Sequence, residues 1–332
     1  MRYPHGLNHS VSFGSARDVG YALCQPAVWP RGCAMTPVIA PQFAARVRYD
    51  ELMSRHTTWH VGGPADVFFT PADRADLAAF LAHLPADTAV FWLGLGSNLL
   101  VLDGGIRGVV IEAHAALAKI ERRGATGVYV ESGVPCARIA RLCIDWQLGP
   151  ADFFAGIPGT LGGALYMNAG AFGGETWPHV QHVEVIDRQG VVRQRAAAEY
   201  RYGYRHSTPP APDEWFLAAQ LDFQPLADND RQPMRALLAR RKATQPIGEW
   251  SCGSTFTNPT GDHAARLIES AGLKGYRLGG AVVSPKHANF LINTGSATAR
   301  DIEQLVAHIQ TTVRALHGVE LVPEFRVAGE AS

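Results

Sequence analysis

GIPGTLGGALYMNAGAFGG, residues 156–174, decides how this chain is read, because seven of its nineteen residues are glycine. Glycine admits positive φ and close approach of the backbone, and loses more conformational entropy on folding than any other residue. A sequence that concentrates this cost in one stretch needs bare amide groups there. Successive exposed N–H groups form a concavity for anions, most often phosphate. Upstream, WLGLGSNLLVLDGGIRG (92–108) has the same character. Two such loops predict a long ligand carrying a diphosphate, such as a dinucleotide.

The loops do not fit the familiar nucleotide signatures. GLGSNL (94–99) has only the first two glycines of G-x-G-x-x-G, and Asn98-Leu99-Leu100-Val101 reads as extended chain instead of the start of a helix. No G-x-x-x-x-G-K-[ST] string occurs. The loops therefore serve a different dinucleotide architecture, or they are tight turns.

Working outward, the spacing predicts a helix over 70–84, with Thr70 as its cap, Pro71 in its first turn, and Leu77, Phe80, Leu81 and Leu84 on one face. Strands are predicted at 89–94, 107–113 and 127–132, a helix at 135–147, a hairpin at 182–194 turning at 188–190, and a strand at 214–223. Beyond Pro225 the texture changes. A basic helix near 231–243 is followed by helices near 262–271 and 298–317, a strand NFLIN between them, and a closing strand VELVPEFRV (319–327). In that strand Glu320, Val322, Glu324 and Arg326 share one face. The expected organisation is an irregular N-terminal extension (1–42), a dinucleotide domain (43–225) and a substrate domain (226–332), with the last strand returning toward the first domain. Residues 1–34 show no sustained period and read as a tail or an upstream start, with Met35 as a candidate start.

Composition narrows the function. The chain has 332 residues, 47% of them hydrophobic, with 30 basic and 30 acidic side chains. This balance argues against nucleic acid or an anionic membrane as the main partner. No apolar run is long enough to cross a bilayer. The five cysteines lack zinc-ligand spacing, so no metal is expected, and their scatter suits a reducing cytoplasm.

Taken in order, HTTWHVGGPAD (56–66), LGLGSNLLVLDGGIRGVVI, AGIPGTLGGALYMNAGAFG, YRYGYRHS (200–207), SCGSTFTNP (251–259), LIESAGLKGYRLGGAVVSPKHANFLIN and VELVPEFRV resemble the UDP-N-acetylenolpyruvoylglucosamine reductases. The likeness runs from about residue 43 to 328. It implies an α+β fold: a vanillyl-alcohol-oxidase-type FAD domain of two subdomains, plus a C-terminal α+β substrate domain. It also implies non-covalent FAD, NADPH as co-substrate, and reduction of UDP-N-acetylglucosamine enolpyruvate to UDP-N-acetylmuramate for peptidoglycan precursors, by a cytoplasmic monomer.

By the same likeness Gly94, Gly96, Ser97, Asn98, Gly156, Pro158, Gly159, Thr160, Gly162, Gly163, Asn168, Ala169 and Gly170 hold the FAD. Arg205, Ser254 and Glu324 are catalytic, and Tyr204, Asn258 and Lys274 meet the substrate. The chemistry suits these types. Hydride at C3 of the enolpyruvyl group pushes charge into the carboxylate, which a guanidinium can hold with paired hydrogen bonds, and an acid must protonate C2. Ser254 is the expected acid, Glu324 the group that polarises the carboxylate end, and Cys252 a small buried thiol. His287 is a weaker candidate. The short interval from Arg205 to Gly253 implies the type that lacks an extra tyrosine-bearing loop. Thr257 stands where many relatives have lysine, so a phosphate-facing charge is expected elsewhere, at Arg240, Arg241 or Lys242. The competing readings are an oxidase of the same fold and a non-catalytic nucleotide-binding module.

Overall fold

A computed structural model describes residues 37–332. The expectation for residues 1–34 lies outside them.

The first layer pairs a sheet with one helix. Strands Val47–Leu52, Pro64–Phe69, Ile106–Glu112 and Val90–Leu93 lie side by side in that order. The first pair is antiparallel and the other two pairs are parallel. Helix α1 (Arg74–His83) covers the sheet through Leu77, Phe80 and Leu81. The Phe80 ring stacks on Phe69, with centroids 3.6 Å apart. The helix begins later than predicted. Asp73, not Thr70, is the cap, and its carboxylate accepts the Asp76 N–H. An aspartate with extended backbone satisfies an orphan amide at the helix start directly, and this outweighs Pro71 as the starting signal.

The second layer is an antiparallel sheet in the order 192–196, 180–187, 214–222, 127–131, 120–123. Its inner face packs on α2 (Cys136–Asp145) and α3 (Leu161–Met167), forming a core that includes Ile139, Cys143, Leu165, Trp177 and Leu221. The helix predicted at 135–147 is present as α2, with Cys136, Ile139, Ala140, Cys143 and Ile144 buried. α3 is the second half of the glycine stretch: its N-terminus opens at Thr160 and its C-cap is Asn168, in the left-handed conformation. The next helix, α4 (Gln232–Thr244), leans on this layer through Met234. The change of packing partner therefore falls after α4, near 245, whereas composition alone puts it near 225.

The third layer holds α5 (Ala264–Ser270), a small sheet containing Ala281–Val283 and Leu291–Asn293, and α6 (Ala299–His317). Its core also takes in Trp59, Val61 and Leu100 from segments that connect the strands of the first layer. Trp59 is fully buried (0% exposed). Its indole N–H donates to Leu291 C=O at 2.8 Å, and Asn293 Nδ2 returns a bond to Trp59 C=O at 2.8 Å. Asp103 reaches across to accept the N–H groups of Ala299 and Arg300 at the start of α6. The last strand, Arg326–Ala328, pairs in parallel with Leu99–Val101. Of the predicted closing strand only this end is ladder-paired. The 319–325 segment runs beside Thr255–Thr257 through a bridge at Phe256 and Pro323, because Pro323 lacks an N–H for a continuous ladder.

Candidate active site

Where the three layers meet, a cavity of about 970 Å³ opens, at the upper end of the range for ligand pockets. Its wall contains Gly94, Gly96, Ser97 and Asn98 from the first glycine loop, and Gly156, Pro158, Gly159, Thr160, Gly162, Gly163, Ala169 and Gly170 from the second. The two loops almost touch. A methyl group at Gly94 would sit 3.2 Å from Thr160 Oγ1, and one at Gly159 would sit 3.3 Å from Ser97 Oγ. Gly96 has φ +60°, and a Cβ there would meet His56 C=O at 2.0 Å, so only glycine fits. Gly163 is the opposite case: a Cβ there would meet nothing within 4 Å, and the residue faces the cavity.

Asn168 is a correction. It is fully buried and does not line the cavity. Its Oδ1 accepts the Trp177 N–H, and its Nδ2 donates to Glu175 and Gly203 C=O. It ends α3 in the left-handed conformation and ties that end to the neighbouring hairpin.

Arg205 occupies the second position of the two-residue turn between strands Arg201–Gly203 and His206–Thr208. Its φ is +60°. For a non-glycine residue this conformation costs about 1–2 kcal/mol, and glycine would be the unstrained choice. The strained backbone aims the guanidinium into the cavity. Arg205 Nε lies 2.8 Å from Glu324 Oε1, with both side chains about one-fifth exposed. The Nε–H is not aligned for a hydrogen bond, so this contact is an ion pair. The NH2 group donates to Gly170 C=O at 3.1 Å. The guanidinium also sits 4.8 Å from the centre of the Tyr204 ring. Tyr204 itself is exposed and off the cavity wall, so its contact is with Arg205.

Burial pushes the Glu324 carboxyl above the usual range, and Arg205 partly offsets this. The Glu324 backbone is held from two sides: its N–H donates to Thr255 C=O at 2.8 Å and its C=O accepts Asn98 Nδ2 at 3.2 Å. Asn98, predicted only as a cofactor contact, thus joins the first glycine loop to the acid. Ser254 lines the same cavity beside Gly253, Cys252 and Glu324, and its hydroxyl has no protein partner among the described residues. Cys252 is buried, and desolvation first, then the Glu324 charge, holds its thiol well above its ordinary value. It is therefore a poor nucleophile.

Asn258 and Lys274 are not brought to the wall. Asn258 Oδ1 accepts the Ala264 N–H at the start of α5, and Lys274 Nζ pairs with Glu269 at 2.8 Å. His287 is not a wall residue; it packs edge-on to Phe290, which is. Of the three cations expected to replace a lysine at 257, only Arg241 reaches the cavity. Its Nε donates to Gln245 Oε1 at 2.9 Å, no carboxylate meets it among the described residues, and burial lowers its pKa.

Two residues of this site were missed from sequence. Arg326 lines the cavity with its Nε buried and without a hydrogen-bond partner among the described residues; its place on the Glu324 face of an alternating segment was the available signal. Asn289, 4% exposed, holds the Phe256 backbone with two bonds, accepting N–H at 2.9 Å and donating to C=O at 2.8 Å. Its own C=O accepts the Thr255 N–H at 2.8 Å. An amide inside the apolar run HANFLIN was the signal there.

Comparison with known proteins agrees with this geometry. Residues 65–194 match the FAD binding domain model, and residues 245–328 match the C-terminal domain of UDP-N-acetylenolpyruvoylglucosamine reductase. The reductase of that name from Alkalilimnicola ehrlichii is 56% identical over 86% of this chain and 95% of its own length. The one from Methylococcus capsulatus is 54% identical over 85% and 92%. The crystal structure of the UDP-N-acetylenolpyruvylglucosamine reductase from Thermus caldophilus superposes with a TM-score of 0.74 at 32% identity, covering 86% of this chain and 99% of that one. The α+β fold class expected from the sequence, an FAD domain followed by a C-terminal domain, holds. The chain belongs to the UDP-N-acetylenolpyruvoylglucosamine reductase family and is an FAD-binding oxidoreductase.

Proposed function

We propose that this enzyme reduces the enolpyruvyl ether of UDP-N-acetylglucosamine to UDP-N-acetylmuramate at the expense of NADPH, a step in making peptidoglycan precursors. The observation that carries this reading is the Arg205–Glu324 ion pair on the wall of the same cavity as Ser254 and both glycine loops.

The residues present suit FAD. Two glycine loops in near contact offer backbone amides to a diphosphate, Gly163 leaves open space, and the buried Arg326 Nε has no hydrogen-bond partner among the described residues. The flavin would lie against the layers up to α4, and the sugar nucleotide against the C-terminal layer. Bound FAD supplies hydride carriage between a nicotinamide and an activated double bond.

The protein's own part is to receive the resulting charge and deliver a proton. As C3 gains hydride, electron density moves through C2 into the carboxylate, and Arg205 stabilises it. A guanidinium keeps its charge and needs no reorganisation there. Glu324 fixes the direction of Arg205 and tempers its charge. Ser254, whose hydroxyl has no protein partner among the described residues, gives its proton to C2. Its weak acidity is matched by the strong basicity of an enolate-like carbon. Arg241 supplies the cation for the substrate diphosphate in place of a lysine at 257.

The test follows NADPH consumption by the purified holoenzyme with and without the enolpyruvyl sugar nucleotide, under argon and in air. Stoichiometric consumption that requires the sugar nucleotide and ignores oxygen supports the reading. Oxygen uptake with a sugar or hydroxy acid, independent of NADPH, would replace it with an oxidase.

A further inference from the structure

Behind the first glycine loop lies a charged cluster that the reaction does not use. His56 follows the turn Met53–Arg55, and its ring is clamped between two carboxylates. Nε2 is 2.9 Å from Glu51 Oε1, and Nδ1 is 3.3 Å from Glu112 Oε1. The side chains are 12%, 9% and 15% exposed. One face of the ring packs on Phe68, with centroids 4.3 Å apart.

Both ends of the cluster bear on the loop. The His56 carbonyl is the atom that a Cβ at Gly96 would strike, and two residues on the Thr58 N–H donates to Gly96 C=O at 3.1 Å. Glu112 is the ladder partner of Leu93, the residue before Gly94. The ring therefore ties the chain under Gly96 to the strand beside Gly94. A neutral imidazole donates from one nitrogen only, so one carboxylate would face a lone pair; an imidazolium donates to both.

We propose that His56, held as an imidazolium between Glu51 and Glu112, is a positioning residue that sets the first glycine loop for the flavin, so that FAD affinity falls when the ring loses its proton. The inference rests on flavin binding and is independent of who protonates the substrate. The hydrogen bond to Glu112 raises the pKa of the ring despite its burial, so the ring keeps its proton to higher pH than a free imidazole and loses it as pH rises through the raised value. The other groups facing the cluster are Arg48 and Arg55, which lie 3.7 and 3.6 Å from Glu51, and His114, which lies 3.8 Å from Glu112 and also lines the cavity. A guanidinium is charged at every pH of the assay, and His114 is the other imidazole that meets the cluster among the described residues.

The experiment dilutes full-length holoenzyme at pH values from 6 to 9.5 and reads free FAD by its fluorescence. The dissociation constant of the wild type is expected to rise about tenfold on the alkaline side, the scale of one lost charge-assisted hydrogen bond. His56→Gln should bind at the weaker level at every pH. His114→Gln should keep the wild-type slope whatever its absolute affinity. In Glu112→Gln the transition should move to lower pH, which provides a second test should the His56 variant fold poorly. A flat wild-type curve, or a slope that survives in His56→Gln, overturns the proposal. Absence of FAD binding at any pH would instead remove the flavin reading.

Discussion

Replacing Asn289 by alanine tests how the site is held. The amide is buried and bonded twice to the Phe256 backbone. Alanine would strand one buried N–H and one buried C=O, each at about 1–3 kcal/mol. A water entering the vacated space would return part of this, so a net loss of about 3 kcal/mol is expected, a large fraction of a typical stability of about 5–15 kcal/mol. The damage should reach the chemistry. Thr255 C=O holds the Glu324 N–H, and Phe256 bridges to Pro323, so loosening 254–256 lets Ser254 and Glu324 drift apart. A misplacement of about 1 Å can cost about a hundredfold in rate. Urea unfolding gives the stability, and anaerobic stopped flow gives the two halves of turnover. Flavin reduction by NADPH should stay near wild type while reoxidation by the sugar nucleotide slows. A stability loss under about 1 kcal/mol, or equal slowing of both halves, would refute the reasoning.

Other perturbations separate the remaining roles. Gly96→Ala places a methyl group 2.0 Å from the His56 carbonyl at φ +60°; the purified protein should carry little flavin by absorbance. Gly163→Ala meets nothing within 4 Å among the described residues and lies in α3, so in thermal unfolding the apoprotein should match or exceed wild type in stability, by up to about 1 kcal/mol, with the added methyl group weakening FAD binding. Arg205→Gly relieves about 1 kcal/mol of backbone strain and removes the guanidinium, so thermal unfolding should show a folded protein whose reoxidation is slowed about 10²–10³-fold. Because burial raises the Glu324 carboxyl, the folded state binds that proton more tightly than the unfolded chain. Its contribution to stability is present at acid pH and lost as pH rises from 4.5 through the raised value; melting curves of Glu324→Gln should lack that decline.

Much of the layout was legible because it follows from backbone chemistry. Glycine density located both loops, and twelve of the thirteen residues expected to hold the cofactor line one cavity. The thirteenth, Asn168, misled because an asparagine in a glycine run looks the same whether it meets a ligand or ends a helix in the left-handed conformation. The helices expected at 70–84, 135–147, 231–243, 262–271 and 298–317 overlap α1, α2, α4, α5 and α6, while capping geometry moved the start of α1 from Thr70 to Asp73. Asn258 and Lys274 carry polar groups that local partners take up, which spacing along the chain cannot reveal. The Glu51–His56–Glu112 clamp joins residues from separate strands and was invisible for the same reason. Arg205 was named through resemblance. Its physical signature, a cation placed where the turn calls for glycine, appears only in the backbone angle.

The central claim is that Arg205, Ser254 and Glu324 work together at one flavin pocket, with the serine as proton source. Anaerobic double-mixing of Ser254→Ala tests it most directly: NADPH first, the enolpyruvyl sugar nucleotide second, with flavin absorbance followed throughout. The flavin should bleach with NADPH at the wild-type rate, and its reoxidation should fall by about 10²–10⁴, the usual weight of a general acid. Reoxidation at the wild-type rate would contradict the account.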